Sequence, residues 1–226
     1  MIRSLKSRLV LPLAVLSAVA LASCSSTGSS SNAGGARTAD PAKTVARVDT
    51  AQRTATRTGE VYLMRGLMDI FSRGMDVMAA KLNRSGVYAV SYSYTDWKEM
   101  ADRIIARDKA GKVSYPVVIM GHSLGANDAA KMATYLGSKG VKVSYVVAFD
   151  PTDPGYYGKN IGKVVNYYLP NGDNRVYKTS DFKGSLQNIS LAERRPEVTH
   201  TTIEKDPSLQ GRVIGNILKM TKTKRS

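Results

Sequence analysis

The segment around residues 117–136 constrains the fold of this chain more than any other. The apolar run Val117–Met120 ends directly in the pentapeptide GHSLG, residues 121–125, and a segment of helical pattern follows. A Gly-x-Ser-x-Gly sequence alone is a weak signal, but between a strand and a helix it is typical of a sharp turn that exposes a serine. Glycines two residues before and after the serine let the strand and the helix approach closely. The segment therefore predicts a strand-turn-helix unit with Ser123 at the turn.

Short apolar runs alternate with segments of helical periodicity from residue 60 onward. The predicted strands are Val61–Met64, Val87–Tyr92, Tyr115–Met120, Val141–Phe149 and Lys163–Leu169, and the predicted helices are Ile70–Leu82, Trp97–Ile105, Ala126–Leu136 and a last one after Asp206-Pro207. Asp96 and Glu99 are expected to form a capping box. The alternation predicts an α/β fold with a mostly parallel sheet and helices on both faces. Residues 170–200 fit a loop, a hairpin around Phe182–Leu191 or a partial cap over the site.

The first residues of the chain have the pattern of an export signal. Three basic residues precede an apolar segment, Leu9–Ala22, that is short for a membrane span. The segment ends in Leu-Ala-Ser-Cys, residues 21–24, which resembles the bacterial lipobox. The resemblance implies a signal peptide over residues 1–23, cleavage before Cys24 and a lipid on Cys24, whereas the alternative is a plain secretory signal with a stray cysteine. We expect a lipid-anchored protein of the bacterial cell envelope, with the outer membrane or periplasmic face favoured.

Composition predicts the organisation of the remaining chain. Residues 24–58 are rich in small and polar residues and lack large apolar side chains, so we expect a flexible tether with a reach of roughly 30 Å. Residues 59–226 are expected to form one domain with a basic C-terminal tail, because a chain of 226 residues that is 42% hydrophobic is long enough for a single core. The only cysteine is Cys24, which excludes an intramolecular disulfide.

Charge and motif content limit the cofactors and partners. The formal net charge is +15, and removal of the three basic residues of the signal, 15 − 3, leaves +12. We expect this positive charge either to attract anionic lipid or envelope glycopolymers, or to form a solvated basic surface without a partner. Nucleic acid is not expected as a partner of an exported protein. No histidine and cysteine cluster has metal-ligand spacing, and no phosphate loop or dinucleotide motif occurs, so no metal and no cofactor are predicted. The protein is expected to be a monomer.

A serine hydroxyl becomes a useful nucleophile only when a base takes its proton. The chain has two histidines. His122 adjoins Ser123 and is expected to diverge from it as a packed residue of the turn, whereas His200 precedes the last helix, in a loop from which a base reaches back over the sheet. The backbone N–H of Leu124, at the start of the predicted helix, is a candidate donor to an oxyanion. The acid that would orient the base is open among Asp150, Asp153, Asp173 and Asp181.

Residues 60–220 resemble the α/β-hydrolase superfamily, in particular small serine esterases and lipases. The resemblance is carried by GHSLG at 121–125, by Val146–Pro151 and by His200–Ile203. It implies an α/β-hydrolase-like fold with little or no lid, Ser123 as nucleophile, His200 as base and an aspartate after a late strand as acid. Strand placement favours Asp150, with Asp173 as the alternate acid.

The resemblance also implies a second oxyanion donor in the loop after the first predicted strand. Many members of the superfamily have His-Gly there, whereas this chain has Arg65-Gly66. The donor is a backbone N–H, so the departure affects only which residue supplies it, Leu67 or Met68, and Leu67 is favoured.

The sequence thus predicts an envelope-anchored serine hydrolase that cleaves carboxylic esters or thioesters through an acyl-enzyme on Ser123. A small acyl ester or lipid is the expected substrate class. Acyl chain length, and the choice among esterase, lipase and thioesterase, depend on loops that the sequence does not place. The alternative is a non-catalytic envelope lipoprotein that uses the same fold for binding.

Overall fold

The computed structural model describes residues 54–67, 72–191 and 197–224. The strands are β1 Glu60–Arg65, β2 Tyr88–Ser93, β3 Val117–His122, β4 Val143–Phe149, β5 Gly155–Tyr157, β6 Ile161–Tyr168, β7 Val176–Lys178 and β8 Ser185–Ser190, and the helices are α1 Arg73–Arg84, α2 Trp97–Lys109, α3 Leu124–Ser138 and α4 Pro207–Met220. The predicted signal peptide, Cys24, Met68 and all but the end of the predicted tether lie outside the described residues. Within those residues, no helix is both long enough and apolar enough to cross a membrane.

Six strands form one parallel sheet in the order β2-β1-β3-β4-β6-β8. The chain places β2 on one side of β1 and β3 on the other, so the order reverses at β1 and β3. In open parallel sheets, ligands bind at the carboxyl ends of the strands where such a reversal occurs. The predicted α/β class, with a mostly parallel sheet and helices on both faces, is confirmed.

Helices cover both faces of this sheet and make two separate apolar cores. On one face, α2 and α3 pack with Ile104, Met132 and Leu136 fully or almost fully buried. On the other face, α1 and α4 pack with Met78 and Val213 fully buried. Because both faces of β3 are covered, all six of its residues are buried, which explains the apolar run Val117–Met120.

Two local predictions have different outcomes in the helices. Asp206 caps α4 as expected, because its carboxylate accepts a hydrogen bond of 2.9 Å from the Leu209 N–H and Pro207 is the first helical residue. Asp96 precedes α2, but its side chain makes no capping hydrogen bond, so the predicted capping box with Glu99 is wrong.

The ambiguous segment after β6 forms an edge of the sheet rather than a hairpin. Strand β8 pairs in parallel with β6, and the short strands β5 and β7 pair with each other. The Asn188 side chain bonds both the N–H and the carbonyl of Val176, at 2.9 Å each, and so ties β8 to β7. Between β4 and β6 the structure describes every residue, and this segment contains only β5 and no helical lid.

The described chain enters the domain at the amino ends of the strands. The Arg57 guanidinium donates hydrogen bonds to the carbonyl oxygens of Leu218, at 2.9 Å, and Thr221, at 2.8 Å. The Thr58 N–H donates to the carbonyl oxygen of Lys222 at 2.7 Å. These contacts fasten the residues before β1 to the end of α4.

Candidate active site

Ser123 occupies a strained turn between β3 and α3. Its backbone angles are φ 58° and ψ −128°, a conformation that residues with a side chain rarely adopt. A Cβ atom on Gly121 would lie 2.1 Å from the carbonyl oxygen of Gly125, and one on Gly125 would lie 2.4 Å from that of Met64. Both contacts are with backbone, so only glycine fits at the two positions. The GHSLG sequence therefore has the local geometry that its spacing predicts.

The turn brings Ser123 together with two of the predicted residues. Ser123 Oγ lies 3.0 Å from His200 Nε2, and His200 Nδ1 lies 2.7 Å from Asp150 Oδ2. Asp150 is 1% exposed and Ser123 7% exposed, whereas the His200 side chain is 36% exposed and borders solvent. The serine, the imidazole and the carboxylate thus form one hydrogen-bonded line, and their roles in a reaction stay predictions.

Asp150 follows β4 directly and is held on several sides. Its φ is 47°, in the left-handed region that aspartate tolerates better than most residues. Its Oδ1 atom accepts hydrogen bonds from the Leu169 N–H at 2.9 Å and from Asn174 Nδ2 at 2.8 Å. These donors fix the carboxylate so that Oδ2 faces His200. Asn174 was not predicted as part of the site, because an asparagine in an Asn-Gly-Asp-Asn segment is equally typical of an ordinary turn.

The other aspartates lie elsewhere. Asp173 accepts a hydrogen bond from the Tyr177 hydroxyl at 3.2 Å, and Asp153 accepts one from Asn127 at 2.9 Å. Asp181 accepts one from the Thr179 hydroxyl at 2.5 Å. Among the described residues, none of the three bonds to His200, so the geometry favours Asp150 over Asp173.

The contact with Asp150 determines the tautomer of the His200 ring and raises its pKa. A carboxylate only accepts, so the ring proton of neutral His200 lies on Nδ1 and Nε2 is free to accept from the Ser123 hydroxyl. The hydrogen bond to Asp150 raises the pKa of His200 above its usual value, against the opposing effect of partial burial. The charge of Asp150 adds to this increase.

Two backbone N–H groups belong to the residue after Ser123 and to the loop that contacts Ser123. Leu124 is the first residue of α3, and its N–H has no acceptor among the described residues. The loop after β1 is packed against the turn, since a Cβ on Gly66 would lie 2.9 Å from Ser123 Cβ. The next residue, Leu67, also has an N–H without an acceptor in the described part of the chain, and the residue is 53% exposed. Met68, the other residue considered for this donor, lies outside the described residues.

His122 is buried behind the turn and is hydrogen-bonded on both ring nitrogens. Its Nδ1 atom lies 2.7 Å from Ser72 Oγ, and its Nε2 atom lies 2.7 Å from the carbonyl oxygen of His200. Burial lowers the pKa of His122 to about 4. The Glu204 carboxylate, fully buried, has an oxygen 3.9 Å from His122 Nε2, and burial raises the pKa of Glu204. Ser72 was not singled out in the sequence, because a lone serine before a helix carries no distinctive signal.

In the described part of the chain, no group of three or more histidine, cysteine, aspartate or glutamate residues is arranged to hold a metal ion. The line of Asp150, His200 and Ser123 consists of a carboxylate, an imidazole and a hydroxyl. These groups can move a proton from the hydroxyl to the imidazole and stabilise the resulting charge.

Comparison with known proteins adds structural similarity at low identity. No family model matches the chain, and no curated protein matches its sequence. Solved structures that resemble it include the type II thioesterase BorB from the borrelidin biosynthetic cluster, with a TM-score of 0.48, 12% identity and coverage of 73% of this chain and 93% of that one. Est1E from Butyrivibrio proteoclasticus has a TM-score of 0.46, 12% identity and coverage of 75% and 91%. The RedJ thioesterase from Streptomyces coelicolor has a TM-score of 0.41, 8% identity and coverage of 72% and 85%. With TM-scores below 0.5, these similarities say nothing about the reaction of this chain.

Proposed function

We propose that the protein is a serine hydrolase that cleaves carboxylic esters or thioesters through an acyl-enzyme on Ser123. One observation carries the proposal: the hydrogen-bonded line from Asp150 through His200 to Ser123, which ends on a strained turn at the carboxyl end of a parallel sheet. A structural role does not require a serine in a strained conformation, and strain of this kind is concentrated at functional sites.

In the first half of the proposed reaction, His200 Nε2 takes the proton of the Ser123 hydroxyl as Oγ attacks the acyl carbonyl carbon. The carbonyl oxygen becomes an oxyanion, for which the N–H groups of Leu124 and Leu67 are the proposed donors. Asp150 stabilises the imidazolium and keeps its Nδ1 proton in place. Collapse of the tetrahedral intermediate breaks the bond to the alcohol or thiol, which leaves with the proton from Nε2.

In the second half, water replaces the departed alcohol or thiol. His200 Nε2 takes a proton from this water as the oxygen attacks the acyl-enzyme carbonyl, and a second oxyanion forms beside Leu124. The intermediate then releases Ser123, which regains its proton from His200, and the carboxylic acid leaves. The line of hydrogen bonds is therefore restored at the end of each turnover.

We also propose that a lipid on Cys24 anchors the enzyme to the bacterial envelope, which is supported by the Leu-Ala-Ser-Cys sequence. The wild-type protein should incorporate labelled palmitate and partition into detergent, and Cys24→Ser should do neither. Recovery of the wild type wholly in the soluble fraction would contradict the anchor while leaving the enzymatic proposal untouched.

A fluorophosphonate probe tests the enzymatic proposal without a choice of substrate, because it reacts with activated serines. We expect the wild-type protein to be labelled on the peptide that contains Ser123, as identified by mass spectrometry. Ser123→Ala should not be labelled and should lose ester turnover by several orders of magnitude, as expected for loss of a nucleophile. An unlabelled and inactive but folded wild type would refute the enzyme and leave the alternative, a lipoprotein that uses this fold for binding.

A second experiment defines the substrate class. p-Nitrophenyl esters from short to long acyl chains, together with acyl thioesters monitored by thiol release, should be compared on the same preparation. The ratio of kcat/KM values between ester and thioester separates an esterase from a thioesterase, and the dependence on chain length separates an esterase from a lipase.

A further inference from the structure

Two buried side chains that do no chemistry in the proposed reaction connect the loops on either side of Ser123. Ser72 Oγ accepts a hydrogen bond of 2.9 Å from the Gly66 N–H and lies 2.7 Å from His122 Nδ1. His122 Nε2 in turn lies 2.7 Å from the carbonyl oxygen of His200. Ser72 and His122 are each 1% exposed, so water does not compete for these bonds.

The chemistry of the two ends fixes the direction of each hydrogen bond. The His200 carbonyl oxygen only accepts, so the proton of the His122 ring lies on Nε2. Burial lowers the pKa of His122 to about 4, so near neutral pH the ring carries no second proton and Nδ1 accepts. The Ser72 hydroxyl therefore donates to Nδ1 and accepts from the Gly66 N–H. The buried carboxyl group of Glu204 lies 3.9 Å from Nε2 of this ring.

The chain of hydrogen bonds ends in the two loops that the proposed reaction requires. Gly66 is followed directly by Leu67, whose N–H is a proposed oxyanion donor. A Cβ on Gly66 would lie only 2.9 Å from Ser123 Cβ, so this loop is in close contact with the nucleophile. At the other end, the accepting carbonyl belongs to His200, the proposed base. A shift of either loop would stretch a buried hydrogen bond.

We infer that Ser72 and His122 are positioning residues. Through this one chain of hydrogen bonds they fix the distance between the loop of Gly66 and Leu67, which carries the proposed oxyanion donor, and His200, the proposed base. The inference rests on the proposed hydrolase activity. A neutral histidine suits the task because its rigid ring offers an acceptor on one nitrogen and a donor on the other. Displacement of a reacting group by about 1 Å can lower a rate by about 100-fold, so this constraint has a measurable effect.

Ser72→Ala tests the inference because it removes the hydroxyl that joins the Gly66 N–H to His122 in the chain of hydrogen bonds. Ser114→Ala is a matched control. Ser114 Oγ accepts a hydrogen bond of 3.0 Å from the N–H of Gly59, which lies just before β1, and Ser72 Oγ accepts the corresponding bond from the N–H of Gly66, which lies just after β1. We expect Ser72→Ala to lower kcat on an activated ester by about tenfold or more with little change in KM. Ser114→Ala should leave kcat and KM unchanged.

A double-mutant cycle separates a connected chain from two independent packing effects. His122→Phe keeps an aromatic ring but has neither the acceptor nor the donor. If the hydrogen bonds act as one unit, the double variant Ser72→Ala/His122→Phe should have a kcat no lower than that of the more damaging single variant. Losses that multiply in the double variant would overturn the inference.

Nuclear magnetic resonance gives a readout that does not depend on activity. The chain contains only two histidines, so labelling with ¹⁵N-histidine produces two sets of imidazole signals. We expect Ser72→Ala to shift the signals of both rings, His200 included, and Ser114→Ala to shift neither. If Ser72→Ala leaves the His200 signals and kcat unchanged, the inference is wrong.

Failure of the inference is distinguishable from failure of the proposed function. A wild type that is neither labelled by fluorophosphonate nor active contradicts the function, and the resonance shifts then decide whether the chain of hydrogen bonds holds the two loops. A labelled and active wild type with an unaffected Ser72→Ala variant contradicts the inference alone. If Ser72→Ala does not fold, Ser72→Cys replaces it in the same measurements, because a thiol of similar size donates and accepts only weakly.

Discussion

If the protein is the proposed hydrolase, Asp150→Asn should inactivate it by reversing the tautomer of His200, the proposed base. Asp150 Oδ1 accepts from the Leu169 N–H at 2.9 Å and from Asn174 Nδ2 at 2.8 Å, whereas Oδ2 faces His200 Nδ1 at 2.7 Å. Since two donors already point at the Oδ1 position, the amide oxygen of the new asparagine should occupy it. The NH2 group then takes the position of Oδ2 and faces the imidazole. Asparagine also tolerates the φ of 47° at this position, so the fold should survive.

The size of the effect follows from that orientation. An amide N–H that faces Nδ1 must be accepted by it, so the ring proton of His200 moves to Nε2. In this tautomer, Nε2 donates to Ser123 Oγ and cannot take its proton. The wrong tautomer lowers kcat by about 10⁴-fold in serine hydrolases, which corresponds to about 5 kcal/mol of transition-state stabilisation. We expect a loss of about this size on a p-nitrophenyl ester.

Asp173→Asn is the matched control, with the same change at the alternate acid. Asp173 bonds the exposed Tyr177 hydroxyl at 3.2 Å, so its replacement should change kcat by no more than about twofold. Thermal unfolding of both variants, followed by circular dichroism, verifies that the folded state is intact. If Asp173→Asn is the inactive variant, or if folded Asp150→Asn turns over at the wild-type rate, the assignment of the acid is wrong.

Two further predictions concern pH and the turn. His200 must be neutral to act as the base, and its pKa is raised. The acidic limb of the kcat/KM profile should therefore lie above the usual histidine pKa of about 6.5, with activity rising as pH increases through it. Asp150→Asn should move the limb of any residual activity to lower pH, and an unchanged limb would contradict the pairing of Asp150 with His200. Gly121→Ala should lower the free energy of unfolding by about 3 kcal/mol or more, because the new Cβ would lie 2.1 Å from a backbone oxygen. Gly215→Ala, in α4 with nothing within 4 Å of the new Cβ, should instead stabilise by about 0.5–1 kcal/mol; equal melting temperatures for the two variants would refute this reasoning.

The turn at Ser123 was predictable because its signals are local. Three signals are contiguous in the sequence: the apolar run of β3, the two glycines and the helical pattern of α3. Burial requires the apolar run, and the close approach of backbone atoms requires the glycines. The choice of Asp150 was also accessible, since a residue that directly follows a buried strand lies at the carboxyl edge of the sheet, near Ser123.

Other features depend on contacts between residues distant in sequence. Asn174 supports Asp150 from 24 positions away, and Ser72 meets His122 from 50 positions away. Neither residue type has a periodicity or motif that reveals such a partner. Strand β8 was anticipated only as part of one of three alternatives, a hairpin around Phe182–Leu191. Its residues are exposed or half-exposed at the edge of the sheet, so its sequence lacks the apolar pattern of the central strands.

The point where the chain enters the domain has a consequence for where substrate comes from. Arg57 and Thr58 are fastened at the amino ends of the strands, whereas Ser123 lies at their carboxyl ends, and a six-residue strand such as β1 spans about 20 Å. A domain held through Cys24 would therefore be attached on the side opposite Ser123, the proposed nucleophile. The proposed catalytic opening would then lie at the end of the domain farther from the point of attachment, which favours substrates delivered from the aqueous space or from a facing surface. To reach lipids of its own leaflet, the domain would have to turn over on a tether of roughly 30 Å.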